Sequence, residues 1–201
     1  MTPEDFVRYP TGNLCNASAA VRAVSSALRP LIPGKRVAGR ARTARIAPGQ
    51  NDAIHRAVHE ASPGDMLAVD GGASDRFGPF GDLLAECCRV RGVAGAVLDC
   101  TIRDAVDIAA LDFQVFARGY HPEATAKTEP GEVDIPVMLG GVPVHPGDIL
   151  VGDDDGVVVI PAGEASQVLD RVAAVAAREE QIRARILAGE STFDIFGLGR
   201  G

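Results

Sequence analysis

GDLLAECCRVRGVAGAVLDCTIRDAVD, residues 81–107, is the stretch on which the fold reading turns. A short amphipathic helix over 82–91 runs into a strand of small residues, VAGAVLD (93–99), and a second short helix, RDAVDIAAL (103–111), follows. Charges bracket this unit: Asp82 opens the first helix, and Arg103, Asp104 and Asp107 stand where the strand ends. In open α/β sheets ligands collect where strands end and helices begin. The charges are therefore either solvated helix ends or one converging site.

Working outward, the pattern stays mixed α and β on both sides. Residues 15–28, CNASAAVRAVSSAL, have helical character, with Asn16 or Ser18 as a cap for the start. PGKRVAGRARTARI (33–46) alternates like a strand after a Pro-Gly turn, and NDAIHRAVHEA (51–61) is helical. SPGD (62–65) is a turn, MLAVD (66–70) a buried strand, and GGASDRFGPFG (71–81) a Gly-rich loop. QVFARG (114–119) is a further strand, followed by a polar loop carrying Pro122 and Pro130. The last third is a β meander, with strands over 133–141, 142–150 and 157–162 and then one long helix over 163–189 that Gly189 terminates. The tail GLGRG is expected to fray. This predicts one α/β domain over 1–201, its core about 30–162 and its C-terminal helix about 163–189.

Composition narrows the function. The chain has 201 residues, 46% of them hydrophobic but only 4% aromatic, with no Trp and 23 Gly. Such a makeup suits closely packed α/β layers. A net charge of −7 and no Lys/Arg run argue against a nucleic-acid partner, whose phosphates demand a basic stripe. No apolar stretch approaches the ~20 residues a membrane span needs. The acidic start MTPEDFVRYP lacks an apolar signal region, so a cytoplasmic protein is expected. Cys15, Cys87, Cys88 and Cys100 form no C-x-x-C pair and are expected to be small core residues.

Several motifs carry less than they first offer. Asp153-Asp154-Asp155-Gly156 does not fit a calcium loop: with Gly156 at the sixth position, Val151 and Ala162 fall where ligands belong. A tight turn is the better reading. His55 and His59 lie four apart on a helix, but no Glu or third ligand flanks them, so an exposed face is expected; His121 and His145 are scattered. Neither a G-x-S-x-G elbow nor a phosphate loop is present. The two lysines, Lys35 in a Pro-Gly turn and Lys127 in a polar loop, do not look like Schiff-base sites, which need a lowered pKa. Carbon–carbon chemistry in this chain therefore points to a metal.

The bracketing charges of 81–107 suit such chemistry. Gly81 opens a helix whose first amides, those of Leu83 and Leu84, lack internal partners and can hold a carboxylate, aided by the helix dipole. Arg103 offers a planar fork to a carboxylate or enolate. Asp104 offers hard oxygens suited to Mg2+ or Mn2+. The residues alone leave the other reading open, with Arg103 and Asp107 as a surface pair and Asp82 as a helix-end charge.

The spacing Asp82, twenty residues, Arg103-Asp104, two residues, Asp107 resembles the signature of the 4-hydroxy-4-methyl-2-oxoglutarate/4-carboxy-4-hydroxy-2-oxoadipate aldolases of the RraA-like superfamily. That superfamily also holds the regulators of ribonuclease E activity. PGKRVAGRART, SPGDMLAVDGG, FARG and VPVHPGDILVGDDDGVVVIP extend the resemblance over roughly 30–190. It implies a swivelling β/β/α domain with a long C-terminal helix, assembled as a homotrimer or homohexamer. It also implies a Mg2+- or Mn2+-dependent lyase acting on a small 2-oxo acid, with oxaloacetate decarboxylation alongside. Carried over, Asp104 is the direct metal ligand and Asp82 acts through metal-bound water. The Leu83 and Leu84 amides beside Gly81 hold the pyruvate carboxylate, and Arg103 contacts the pyruvyl oxygen. Asp107 supports the site, and Glu179 approaches through water from a neighbouring subunit. The sequence departs from the pattern at TGNLCNASAA, at Asp75-Arg76-Phe77, and at Cys100, where Gly is common. A non-catalytic regulator and a methyltransferase are the rivals; no S-adenosylmethionine-type Gly-rich loop is seen.

Overall fold

The computed structural model describes residues 1–199. Four parallel strands form the centre of the main sheet: β3 (Val37–Arg45), β4 (Asp65–Ser74), β5 (Gly95–Ile102) and β6 (Val115–Tyr120). Three crossover helices link them in turn: α2 (Asp52–Glu60), α3 (Asp82–Val90) and α4 (Ala105–Ala110). Parallel neighbours need such crossovers, which is why strand and helix signals alternate in this part of the chain. Antiparallel strands complete the sheet. On the β3 side lie β10 (Ile149–Asp153), β11 (Gly156–Ile160) and β1 (Arg22–Ala23), and β2 (Arg29–Pro30) borders β6. The short β7 (Glu132–Val133) pairs with the far end of β3. The hairpin of β8 (Val137–Leu139) and β9 (Val142–Val144) is a separate ribbon against β4 and β5.

β5 shows why its sequence is apolar without interruption: all eight residues are buried, because both faces of the sheet are covered. Ala96, Leu98, Cys100 and Ile102 face the helical layer with Ile54, Leu84, Cys88 and Ile108. Val97 faces the opposite core with Phe116, Leu139 and Val157. Asp99 is buried on that second side, where Arg118 pairs with it and the Gly140 amide donates to it at 2.9 Å. A buried carboxylate is tolerable only with partners of this kind.

The N-terminal expectation needs correction. The helix is α1 (Thr11–Ala17), not 15–28, and Ser18 ends it with extended backbone instead of opening it. Residues beyond it pair with distant chain: the Val24 amide donates to Val157 O and the Ser25 amide to Gly140 O. Tertiary pairing has overridden local helix propensity. Phe6 and Leu14 pack with Ile149, Val151 and Val158 beneath the start of α5 (Ala165–Leu187), so the N-terminal segment belongs to the core. β4 also runs through Ser74, past the expected end at Asp70. Gly71 permits this, since a Cβ there would lie 2.7 Å from Cys100 Cβ. Cys15 and Cys87 are exposed, against expectation, while Cys88 and Cys100 are core residues.

The acidic turn is structural, as expected. Asp154 and Asp155 join β10 to β11, and Asp153 accepts from the Thr11 amide at 2.8 Å, Thr11 Oγ1 at 2.7 Å and the Asp155 amide at 3.0 Å. α5 buries only Ala165, Val168 and Val172. Residues 173–187 then continue for about 22 Å with no side chain fully buried. Gly189, at φ 95°, ends the helix as anticipated. Between Gly189 and the GLGRG tail a short α6 (Thr192–Ile195) forms, its Ser191 side chain accepting from the Asp194 amide. Residues 200 and 201 of that tail lie outside the described residues.

Two outcomes test this packing. Asp153→Ala strands the buried Thr11 donors and should cost roughly 1–3 kcal/mol in denaturant unfolding. Burial pushes the Cys88 and Cys100 thiols up to about 12. In the native protein a thiol reagent should therefore modify only Cys87 and, more slowly, Cys15, whose thiol burial and Asp153 also raise. Mass spectrometry should find all four modified after denaturation.

Candidate active site

The site forms where β5 ends. The Arg103 amide donates to Phe80 O at 3.0 Å, and the His121 amide donates to Ile102 O at 2.8 Å, so this strand end is held between two loops. Asp104 then takes a left-handed conformation (φ 55°, ψ 37°) and opens α4. Asp is among the few non-glycine residues that tolerate this region. Its Oδ2 accepts from Arg103 Nε at 3.1 Å.

Gly81 closes on that pair. A Cβ there would collide with Asp104 Oδ2 and stand 3.1 Å from Arg103 Nε. At Gly78 a Cβ would meet His121 O at 2.6 Å and Arg103 Cβ at 2.7 Å. Between these glycines, Phe80 is buried and stacks on Phe113 with centroids 6.3 Å apart. Gly81 caps α3 without a side chain, which leaves the first amides of the helix for a ligand.

In front of these groups lies a cleft of about 170 Å3. Gly81, Asp82, Leu83, Leu84 and Arg103 line it, so five of the expected residues do meet. Asp104 lies behind them, against Gly81 and Arg103. Asp107 does not join: it is exposed on α4, and Arg103 pairs with Asp104 instead. Glu179 is on α5, in a different depression beside Asn16, Arg178, Ile182 and Phe196. Among the described residues no three His, Cys, Asp or Glu side chains converge. A cation here would thus rely on one or two carboxylates and leave positions for water and substrate, a pattern that suits Mg2+.

The opposite wall was not foreseen. Asn51 and His55 from α2, and Thr125 and Lys127 from the loop between β6 and β7, line the same cleft. His55 and His59 are both exposed, as expected, and His55 also lines the cleft. Lys127 is in a polar loop as read, yet that loop is clasped over the site. The Gly78 amide donates to Glu123 O at 2.8 Å, Asn51 N to Ala126 O at 3.1 Å, and Ala126 N to Gly49 O at 2.8 Å. Those partners are remote in sequence, so no local signal marks Lys127. The spacing of Asn51 and His55, one helical turn apart, was the available clue. Buried Asn51 donates through Nδ2 to Pro79 O at 3.0 Å, and its Oδ1 has no partner among the described residues. The imidazole of His55 is held below its usual pKa, first by partial desolvation and then by the Lys127 ammonium; Asp52 opposes this. Arg76, in the divergent loop, lies over the Phe77 ring at 4.9 Å and near Glu123 at 3.5 Å, and so braces the same clasp.

Residues 11–159 match the RraA-like family, described as Aldolase/RraA, and the chain belongs to that family. A protein of Halalkalibacterium halodurans provisionally named as a 4-hydroxy-4-methyl-2-oxoglutarate aldolase is 37% identical over 187 residues, 91% of this chain and 89% of its own. The solved RNA-processing inhibitor RraA from a Thermus species superposes with a TM-score of 0.71 at 31% identity, over 77% of this chain and 93% of that one. A Geobacillus kaustophilus structure described as an S-adenosylmethionine:2-dimethylmenaquinone methyltransferase superposes with TM-score 0.71 at 31% identity, over 76% and 95%. The fold is that of the RraA proteins, as the sequence resemblance implied. No helix among the described residues is long and apolar enough to cross a membrane.

Gly81→Ala tests the geometry without reference to any reaction. Overpacking against Asp104 and Arg103 should cost roughly 1–3 kcal/mol in urea unfolding. Gly12→Ala, with open space around its Cβ position, should show no such clash.

Proposed function

We propose that this chain is a divalent-metal-dependent pyruvate lyase. It cleaves 4-hydroxy-2-oxo acids such as 4-hydroxy-4-methyl-2-oxoglutarate to pyruvate, and it decarboxylates oxaloacetate at the same site. The observation that carries the reading is the meeting of Arg103 and Asp104 with the uncapped N-terminus of α3. The provisional naming of the Halalkalibacterium relative supports it.

Each residue has a task that follows from its chemistry. The Leu83 and Leu84 amides bind the substrate carboxylate at the positive end of α3. Arg103 points a fixed positive charge at the oxygen on which enolate charge develops. Asp104 would hold Mg2+ or Mn2+ directly and Asp82 through water; the hard oxygens of the two carboxylates fit such an ion. When bound, the ion supplies Lewis-acid stabilisation of enolate charge. Glu179 stands away from its own cleft on the projecting part of α5, which suits a homotrimer or homohexamer in which one subunit's helix reaches the next subunit's site. A small 2-oxo acid is the partner; nucleic acid and membrane are not.

A regulator resembling the Thermus inhibitor is the second reading, favoured by the far part of α5, which buries no side chain fully after Val172. Activity separates the two. Pyruvate release from oxaloacetate and from 4-hydroxy-4-methyl-2-oxoglutarate should vanish with EDTA and return with Mg2+ or Mn2+. Asp104→Ala should lower turnover on the order of a thousandfold or more, since Lewis-acid stabilisation is worth several kcal/mol. Arg103→Lys should also be severe, because an ammonium lacks the planar fork. Full activity after chelation, or borohydride trapping of substrate on Lys127, would overturn the metal reading.

A further inference from the structure

The lyase reaction needs a group that removes a hydroxyl proton and later protonates carbon, and the wall of the cleft facing Arg103 holds a candidate. We propose that His55 is this proton carrier, a reading that rests on the lyase function above. The neutral imidazole takes the C4 hydroxyl proton. The O–H electron pair becomes the C4=O bond, the C3–C4 bond breaks, and its electron pair enters the pyruvate enolate. The imidazolium then returns the same proton to C3, giving the methyl group of pyruvate. No net proton, oxidant or reductant is required.

Placement supports His55 over its neighbours. It lines the cleft with Asp82, Leu83 and Arg103, and it lies one turn along α2 from Asn51 on the same face. Its side chain is exposed along the cleft wall, so the one unprotonated nitrogen of the neutral ring is free to accept a proton. The other ionisable side chains lining the cleft are Asp82, Arg103 and Lys127. A guanidinium does not give up its proton in proteins, and an ammonium has no acceptor site. Asp82 is assigned to the cation side. An imidazole is the side chain best matched to proton transfer near neutrality.

The electrostatics around His55 favour its basic form. Lys127, from the clasping loop, and partial desolvation lower its proton affinity, and Asp52 on its own helix raises it. Arg56 binds Asp52 at 2.9 Å and blunts that opposing effect. Arg103 across the cleft acts in the same sense as Lys127, Asp82 in the opposite sense, and His59 lies a turn further along α2 outside the cleft. These effects bias the ring toward its neutral, proton-accepting form.

Exchange of the pyruvate methyl protons for deuterium, followed by proton NMR in Mg2+ buffer, isolates the carbon-protonation step. For the unaltered protein the exchange rate should rise with pH along an acid limb set by the imidazole. His55→Gln should slow exchange by about 10²–10⁴-fold, abolish that limb and leave pyruvate affinity nearly unchanged. Lys127→Met removes a charge that lowers the imidazole pKa, so in that variant the limb should move to higher pH. His59→Gln should behave like the unaltered protein. Exchange by His55→Gln within threefold of the unaltered protein, or an acid limb that persists without the imidazole, overturns the assignment while leaving the lyase function standing. An unaltered protein that neither exchanges pyruvate protons nor cleaves either substrate overturns both.

Discussion

Gly81 sits closer to the Arg103–Asp104 pair than any side chain allows, and the rest of the site is arranged around that approach. It brings the uncapped end of α3 to the end of β5, so that backbone amides and a guanidinium line one small space. The left-handed turn at Asp104 is the other half of the contact, since it returns the carboxylate toward Arg103 before α4 begins. Gly78 makes a similar close approach to Arg103 and His121, and Phe80 between the two glycines anchors the loop in the core. The positions of the reactive groups are therefore a consequence of backbone packing, with little slack for adjustment.

The second wall is built differently. The loop after β6 has few buried residues, yet backbone bonds to Gly49, Asn51 and Gly78 tie it across the cleft. Lys127 and Arg103 then place two cations around a space of about 170 Å3 in a chain whose net charge is −7. Asp82 in the same lining and Asp104 beside Arg103 offset those cations, so the cleft is less acidic than the molecule as a whole. The buried, half-satisfied Asn51 sits at the hinge between the two walls.

α5 divides at Val172. Its first part seals the core formed by Phe6, Leu14 and β10–β11; its remainder is an arm of charged and aliphatic residues. Beyond Val172 the apolar residues Val175, Ile182 and Ile186 continue along one side but are only partly covered, by Asn16 and Phe196. Glu179 lies on the arm, in a depression shared with Asn16 and Phe196 of its own chain and apart from the cleft.

Local pattern in the sequence determined the parallel β3–β6 core, the three crossover helices, the turn at 153–156 and the end of α5 at Gly189. Each depends on a short-range cause: alternation, a cap, a Gly-Asp turn. Five residues of one cleft wall were legible because Gly81–Leu84 and Arg103 occupy the ends of such elements. Asp104 was legible beside Arg103 at the same strand end, and its contact with Gly81 follows from the αL turn. Only the tertiary structure decided the rest. Residues 18–28 pair with Gly140 and Val157, so their helical propensity was irrelevant. Asp107, though only four residues from Arg103, turns away because Asp104 takes the guanidinium. His55 and Lys127 come together from positions 72 apart, across a loop closed by backbone bonds, and local periodicity carries no trace of a contact made at that distance.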